Sequence, residues 1–304
     1  MKRLLPTLIL VVLCIGGFWY ASSKDYFKAP SDEASKQLLT LAEGDVQSLS
    51  YSDGQDAVEI ARKDDTWEMK KPSPLPLNSY LVEGWIGTLS SMTYDSKVTD
   101  NAADLAEYGL AQPKQEYQVT LKDGSVRKLL VGRPMPVPGS SYVKLDNSPA
   151  VYEVSDTNLQ NLAKAPLDFM DKQAVKVNVE KVKTVQFDWK GTSWKLEKAE
   201  SDKSVFESTW KIGAKELKPE EGSGILTQLT NLSTEQLVKP ASEVAVNAPE
   251  LTIVVTEEDG GKTTSSTFHG KLDKDNVWIV KEGGAWAYSV PAASLQEIAD
   301  KGKA

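Results

Sequence analysis

The chain is 304 residues long, room for two domains of ordinary size, and its 40% hydrophobic and 26% charged content is that of a folded protein. The net charge of −8, with Lys and Arg interleaved among Asp and Glu, speaks against nucleic acid as a partner, because phosphate binding needs a dense basic stripe. Cys14 is the only cysteine, so no intrachain disulfide forms, and the chain beyond the N-terminal run has no thiol for catalysis or metal binding.

The N-terminus opens with Lys2-Arg3 and then an uncharged run from Leu4 to Tyr20, close to the ~20 residues that a helix needs to cross a bilayer. The basic pair predicts a cytoplasmic N-terminus, and Trp19-Tyr20 suits the opposite interface. Residues 1–23 therefore read as a single-pass transmembrane anchor in the cell membrane, with the bulk of the chain extracytoplasmic. Two other readings stay open: a signal peptide cleaved near Ala21-Ser22-Ser23, and a lipoprotein signal at Cys14, where Leu13 stands in place of the usual small residue. Residues 24–43, polar and carrying Pro30, read as a linker.

A first module is expected over 44–172. Val46 to Tyr51 alternates apolar and polar residues as a half-buried strand does, and Ser52-Asp53-Gly54 supplies a turn. Val58-Glu59-Ile60 and Thr66 to Met69 continue a meander that ends at Pro72-Ser73-Pro74-Leu75-Pro76, since proline cannot donate to a ladder. Asn78 or Ser79 then caps a helix with Leu81, Trp85, Leu89 and Met92 on one face. Gly109 suits a helix C-cap or a turn of positive φ, and Pro113 stops a helix. Strands follow around Val119-Leu121, Val126-Val131, Tyr142-Leu145 and Val151-Val154, and Leu159 and Leu162 begin a closing helix.

A second module, 173–304, repeats this order. Val46 to Tyr51 returns as Val182 to Phe187, Tyr117 to Gly124 as Leu251 to Gly260, and Ser141 to Leu145 as Val277 to Lys281. The offset of ~137 residues is far beyond a solenoid repeat. Trp210-Lys211-Ile212 matches Trp67-Glu68-Met69, and Ile225, Leu229 and Leu232 repeat the helical face. His269-Gly270-Lys271 is expected as a turn after a strand ending at Phe268, in the place of Val131-Gly132-Arg133. Each module reads as three strands, a helix, four strands and a helix. The fold class is α+β, two tandem modules of mostly antiparallel sheet with packed helices.

Residues that carry chemistry are sparse. His269 is the only histidine, which rules out a histidine-rich zinc site within one chain, and no nucleophile-elbow pattern accompanies it. Asp273-Lys274-Asp275-Asn276 lacks the glycine and terminal glutamate of a calcium loop and reads as a hairpin turn. Neither Gly222-Ser223-Gly224 nor Gly283-Gly284 continues into a phosphate-binding loop. The least ordinary surface element is Arg133-Pro134-Met135-Pro136-Val137-Pro138-Gly139, whose alternating prolines stiffen it. Arg133, Met135 and Val137 on such a loop are the candidate partner contact; no catalytic, cofactor-binding or metal-ligating residue is assigned.

Tyr108-Gly109-Leu110-Ala111-Gln112-Pro113, a following strand with Asp123-Gly124, a strand ending Val131-Gly132 and the Tyr142-Val143-Lys144 … Val151-Tyr152 hairpin resemble the DUF4340 family. Trp67 with its Pro-rich break and the N-terminal anchor add to the likeness, which covers most of the first module; the second keeps Pro249 but lacks the Tyr-Gly-Leu. The resemblance implies a bacterial membrane-anchored protein of unknown function, accessory to an ABC-type transport system by genomic association, with no catalytic residues to carry over. The expected function is thus a non-enzymatic, extracytoplasmic binding or scaffold protein with ABC-type transporter subunits as possible partners and no cofactor. The alternatives are a cell-envelope glycan or small-ligand binding protein, using a cleft between modules, and a carboxylate-dependent hydrolase.

Overall fold

The computed structural model describes residues 36–54 and 57–302. Among them no helix is long and apolar enough to cross a membrane. The run read as an anchor, 1–23, and most of the linker, through residue 35, lie outside the described residues.

The first sheet is built from β1 (Val46–Ser52), β2 (Ala57–Lys63), β3 (Thr66–Lys71), β4 (Ser96–Thr99), β5 (Gln115–Leu121), β6 (Val126–Pro134), β7 (Ser140–Leu145) and β8 (Val151–Ser155). Its order is β3-β2-β1-β5-β6-β7-β8-β4. The strands of the second sheet are β9 (Val182–Trp189), β10 (Thr192–Lys198), β11 (Trp210–Ile212), β12 (Lys215–Leu217), β13 (Lys239–Pro240), β14 (Leu251–Asp259), β15 (Lys262–Asp273), β16 (Asn276–Lys281) and β17 (Trp286–Pro291). Their order, β12-β11-β10-β9-β14-β15-β16-β17-β13, reproduces the first sheet with one strand added at the edge. The fold is α+β with two antiparallel sheets and few helices: α1 (Ser79–Ser90), α2 (Asp156–Leu162), α3 (Pro166–Phe169), α4 (Pro219–Thr230) and α5 (Ala292–Lys301).

Alternation drives the strands. In β9 the buried residues are Val182, Val185, Phe187 and Trp189, and in β14 they are Leu251, Ile253 and Val255. These form one core with Ile225, Leu226 and Leu229 of α4 and Leu295 and Ile298 of α5. Asn78 caps α1, its Oδ1 accepting from Tyr80 N at 3.0 Å. The buried face of α1 is Val82, Trp85, Ile86 and Leu89; Leu81, expected on that face, is 44% exposed. Trp85 packs on Tyr117 of β5 at 6.2 Å, and its Nε1 donates to the Leu162 carbonyl of α2 at 2.9 Å.

The edge strands β4, β12 and β13 were not expected. They are too short to show a period, and β13 carries a proline, which suits only an edge. The turn expected at His269-Gly270-Lys271 is also absent, because β15 runs unbroken through it. Gly270 is required there: a Cβ would lie 2.7 Å from Leu251 Cβ and 2.8 Å from Val277 Cγ1. The reversals fall at Gly260-Gly261 and at Lys274, all with positive φ, the latter within the Asp273–Asn276 segment expected as a hairpin turn.

The repeat starts earlier than Val46. Lys36 to Leu38, assigned to the linker, are held by Leu38 N to Met92 O at 2.8 Å and Tyr94 N to Lys36 O at 3.0 Å, with the Gln37 side chain donating to the Ser90 carbonyl at the end of α1. The same clamp recurs at Lys172 to Ala174. Ala174 N donates to Leu232 O and Thr234 N to Lys172 O, and Gln173 Nε2 donates to Thr230 O at the end of α4, at 2.9 Å. Among the described residues, packing groups those from 36 to 59 with 83–163 as one compact unit, and 60–82 with 164–302 as the other.

Candidate functional site

The Tyr-Gly-Leu motif is a locked turn. A 3-10 turn over Ala106–Tyr108 ends on Gly109 at φ +69, with Gly109 N donating to Ala106 O. A Cβ on Gly109 would sit 2.7 Å from Arg133 N, and one on Gly132 would sit 2.1 Å from the Tyr108 carbonyl. Two glycines thus let the turn lie backbone to backbone on β6. Tyr108 meets Tyr142 edge-on at 5.1 Å, and Leu110, Tyr142 and Val151 form a small apolar cluster on that side of the sheet.

This cluster decides where the predicted contact residues go. Met135 is half-buried and packs against it, so it is not the exposed anchor that the sequence suggested. Arg133 is exposed, its guanidinium 5.9 Å from the Tyr142 ring. Val137, at the loop tip, is 74% exposed. The loop base is fixed: Met135 N donates to Ser140 O and Asp156 N to Gly139 O, both at 2.9 Å, and Ser141 Oγ donates to Asp156 Oδ1 at 2.7 Å. Of the three residues the structure therefore leaves Arg133 and Val137 outward, on a loop held firmly at its foot.

The second module solves the same packing problem differently. It keeps the 3-10 turn, over Ala241–Glu243, but ends it on Val244 at φ −115 rather than on a glycine of positive φ. Farther along, Glu250 accepts from Lys271 Nζ at 2.9 Å and from Leu272 N at 3.2 Å, and the Lys271 ammonium beside it holds its carboxyl below the usual range. The corresponding apolar cluster is Trp278, Val280 and Ala287, with the Lys239 ammonium 4.2 Å above the Trp278 ring. His269 is half-buried in mid-strand, paired with Thr252 and Val280.

The carboxylates whose titration departs from normal all move down. Glu200 falls to about 2, foremost because the Ser208 hydroxyl donates to it at 2.7 Å, with Thr209 N adding a bond at 2.8 Å. Glu68, beside Lys70, and Asp123, accepting from Ser125, are lowered as well. A general acid needs the opposite shift. Glu200 instead closes the loop 199–209, in which Trp210 Nε1 donates to Val205 O at 3.1 Å. Among the described residues no group of three or more His, Cys, Asp or Glu is placed to hold a metal ion.

Sequence reasoning missed a pocket of about 520 Å³ in the second module, between the end of α4, the start of α5 and the end of β17. The carboxamides of Gln228, Asn231, Gln236 and Asn276 and the carboxylates of Glu235 and Glu297 line it, and no Lys, Arg or His does. Ser289 also lines it, 4% exposed, and its buried Oγ has no hydrogen-bond partner among the described residues. No local motif announces such a site, because it arises from where a strand fails to pair.

No curated protein and no solved structure matches the chain. One family does, under the description "Domain of unknown function (DUF4340)", over residues 67–252. The match runs from Trp67 in β3 to Thr252 in β14, and so takes in parts of both sheets rather than the first alone. With more than half its length inside that match, the chain belongs to the DUF4340 family.

Proposed function

We propose that this protein is a non-enzymatic, single-pass membrane protein whose two modules lie outside the cytoplasm and bind a protein partner, as an accessory of an ABC-type transport system. The observation that carries the reading is the use made of the motif residues. Tyr108, Gly109 and Gly132 are spent on fixing a turn to a strand, which builds a rigid display surface rather than a reaction centre. The uncharged run from Leu4 to Tyr20 behind Lys2-Arg3 supports the anchor. Arg133 and Val137 on their fixed loop are the proposed contact, a cation and an apolar tip of the kind that anchors interfaces.

Crosslinking in intact membranes followed by affinity purification tests the partner. Transporter subunits should be recovered, and the yield should fall in an Arg133→Glu, Val137→Asp double variant. Recovery of no membrane protein at native expression would sink the reading. A reporter fused after Ala304 tests the topology, and activity of a cytoplasm-specific reporter there would reverse it.

Ligand binding is a second reading, favoured by the amide-lined pocket of the second module. The pocket lies within that module.

A further inference from the structure

The two modules differ at one sheet edge in a way that points to an occupant. In the first module β4 covers the end of β8. Ser96 pairs with Glu153 and Lys97 with Tyr152, Asp95 N donates to the Glu153 carbonyl at 2.9 Å, and Ser96 Oγ donates to Glu153 Oε2 at 2.6 Å. Repeat equivalence sets Glu153 against Ser289, and Asp95-Ser96 against Glu235-Gln236. In the second module that contact is missing. Thr234, 1% exposed, folds the chain into a tight turn, its Oγ1 donating to Gln236 O at 3.0 Å and accepting from Gln236 N at 3.3 Å. The chain returns to the sheet only at Lys239, so β13 pairs with Ala287 and Trp286 and stops short of Ser289.

Alternate residues of an antiparallel strand turn both backbone groups to the same neighbour. Ala285 O accepts from Ala241 N on the β13 side, so Ala287 and Ser289 face that side as well. The pocket of about 520 Å³ occupies the place that β4 fills in the first module, and the partnerless Ser289 hydroxyl sits in its wall. Glu235 and Glu297 give it a negative rim, and no Lys or Arg is among the described residues that line it.

We infer that this pocket is a strand-addition slot: a short, basic extended peptide segment of a partner pairs with the edge of β17 at Ser289. Main-chain hydrogen bonds give such a site its grip, and its side pockets give it selectivity. The first module shows the fit with its own chain, Ser96-Lys97, and the lysine has the charge that the acidic rim calls for. The carboxamides of Asn231 and Gln236 supply donors and acceptors for a backbone entering without a ladder on both sides. The inference rests on the reading of the chain as a binding protein but not on its anchor or on a transporter.

The test uses the full chain in detergent and a pool of acetylated, amidated pentapeptides with lysine fixed at the centre. Backbone amide resonances of Ala287 to Val290 and Asn276 should shift on titration. The apparent affinity should fall by about tenfold in Glu297→Lys, with Glu235→Lys, also exposed, as the second variant. An N-methylated version of the pool, unable to donate main-chain bonds, should leave those resonances in place. The slot is overturned by unmoved resonances with the lysine pool, by equal shifts with the N-methylated pool, or by shifts with neutral oligosaccharides alone. A cytoplasmic result for the Ala304 reporter would reverse the topology and leave this outcome untouched.

Discussion

The first module closes its outer edge with its own strand and fastens its motif turn by two glycines. The second covers the same edge only in part, with β13 reaching Ala287 but not Ser289, and ends the equivalent turn on Val244 without a glycine. The strand order is shared, so the difference lies in how each sheet treats its borders. A sheet core tolerates little change because its residues interdigitate, whereas an edge can be covered, shortened or exposed at small cost. Divergence between these two repeats therefore collects at edges and turns.

The largest expected effect probes the paired tryptophans. Trp210 is fully buried with its Nε1 bonded to Val205 O, and Gly222 of α4 leaves room for its ring, which a Cβ would approach to 2.2 Å. Trp67 is 6% exposed, lies under Arg62 at 4.3 Å, and has a buried Nε1 without a hydrogen-bond partner among the described residues. Trp210→Ala should cost about 3–5 kcal/mol in urea unfolding, and Trp67→Ala less, because the former empties the more deeply buried site and also strands the Val205 carbonyl. Equal losses would break the distinction.

Next comes the glycine pair. Gly132→Ala sets a Cβ against a backbone carbonyl, and Gly270→Ala sets one against side chains. The former should lose about 2–4 kcal/mol and release the 105–110 turn, seen as faster amide exchange at Gly109 and Leu110; the latter should lose about 1–3 kcal/mol without it. Preserved exchange protection in Gly132→Ala would show that the turn is held by something else.

The clamps should behave alike. Gln37→Ala and Gln173→Ala each remove one donor to the last turn of a helix, and each should cost about 1 kcal/mol by thermal unfolding. A silent Gln37→Ala beside a costly Gln173→Ala would mean that the first module begins later than Lys36.

The smallest effect belongs to Glu200, which only the second module has at this place; the first turns tightly at Asp64, with φ +53. The folded carboxyl titrates near 2 and the unfolded one near 4.5. Its stabilising contribution is thus complete above the unfolded value and fades as pH falls from about 4.5 toward 2. The melting temperature of Glu200→Gln should accordingly be less sensitive to pH in that window than that of the parent. Identical pH profiles would remove Glu200 from the loop's support.

Much of this was legible in residues. Val182-x-x-Val185-x-Phe187 and Leu251-x-Ile253-x-Val255 announce their strands, because burial on one face imposes alternation. Gly109 and Pro113 announce a turn. The clamp was written in the shared Lys-Gln of Lys36-Gln37 and Lys172-Gln173 but is too brief to stand out from a polar segment. The edge strands carry no period, and Met135 reads as exposed until the fold sets a cluster beneath it. The pocket was not readable at all, since it depends on a Thr234 turn acting on a strand more than fifty residues away.

The clamp at Gln37 also sets a leash. On the proposed topology, with the anchor ending at Ser23, the chain between Ser23 and Gln37 spans at most roughly 50 Å when fully extended, against roughly 70 Å had the linker run to Glu43. On that topology the attachment point of the first module lies within roughly 50 Å of the bilayer. The proposed Arg133 contact would then favour a partner that is itself held at that membrane.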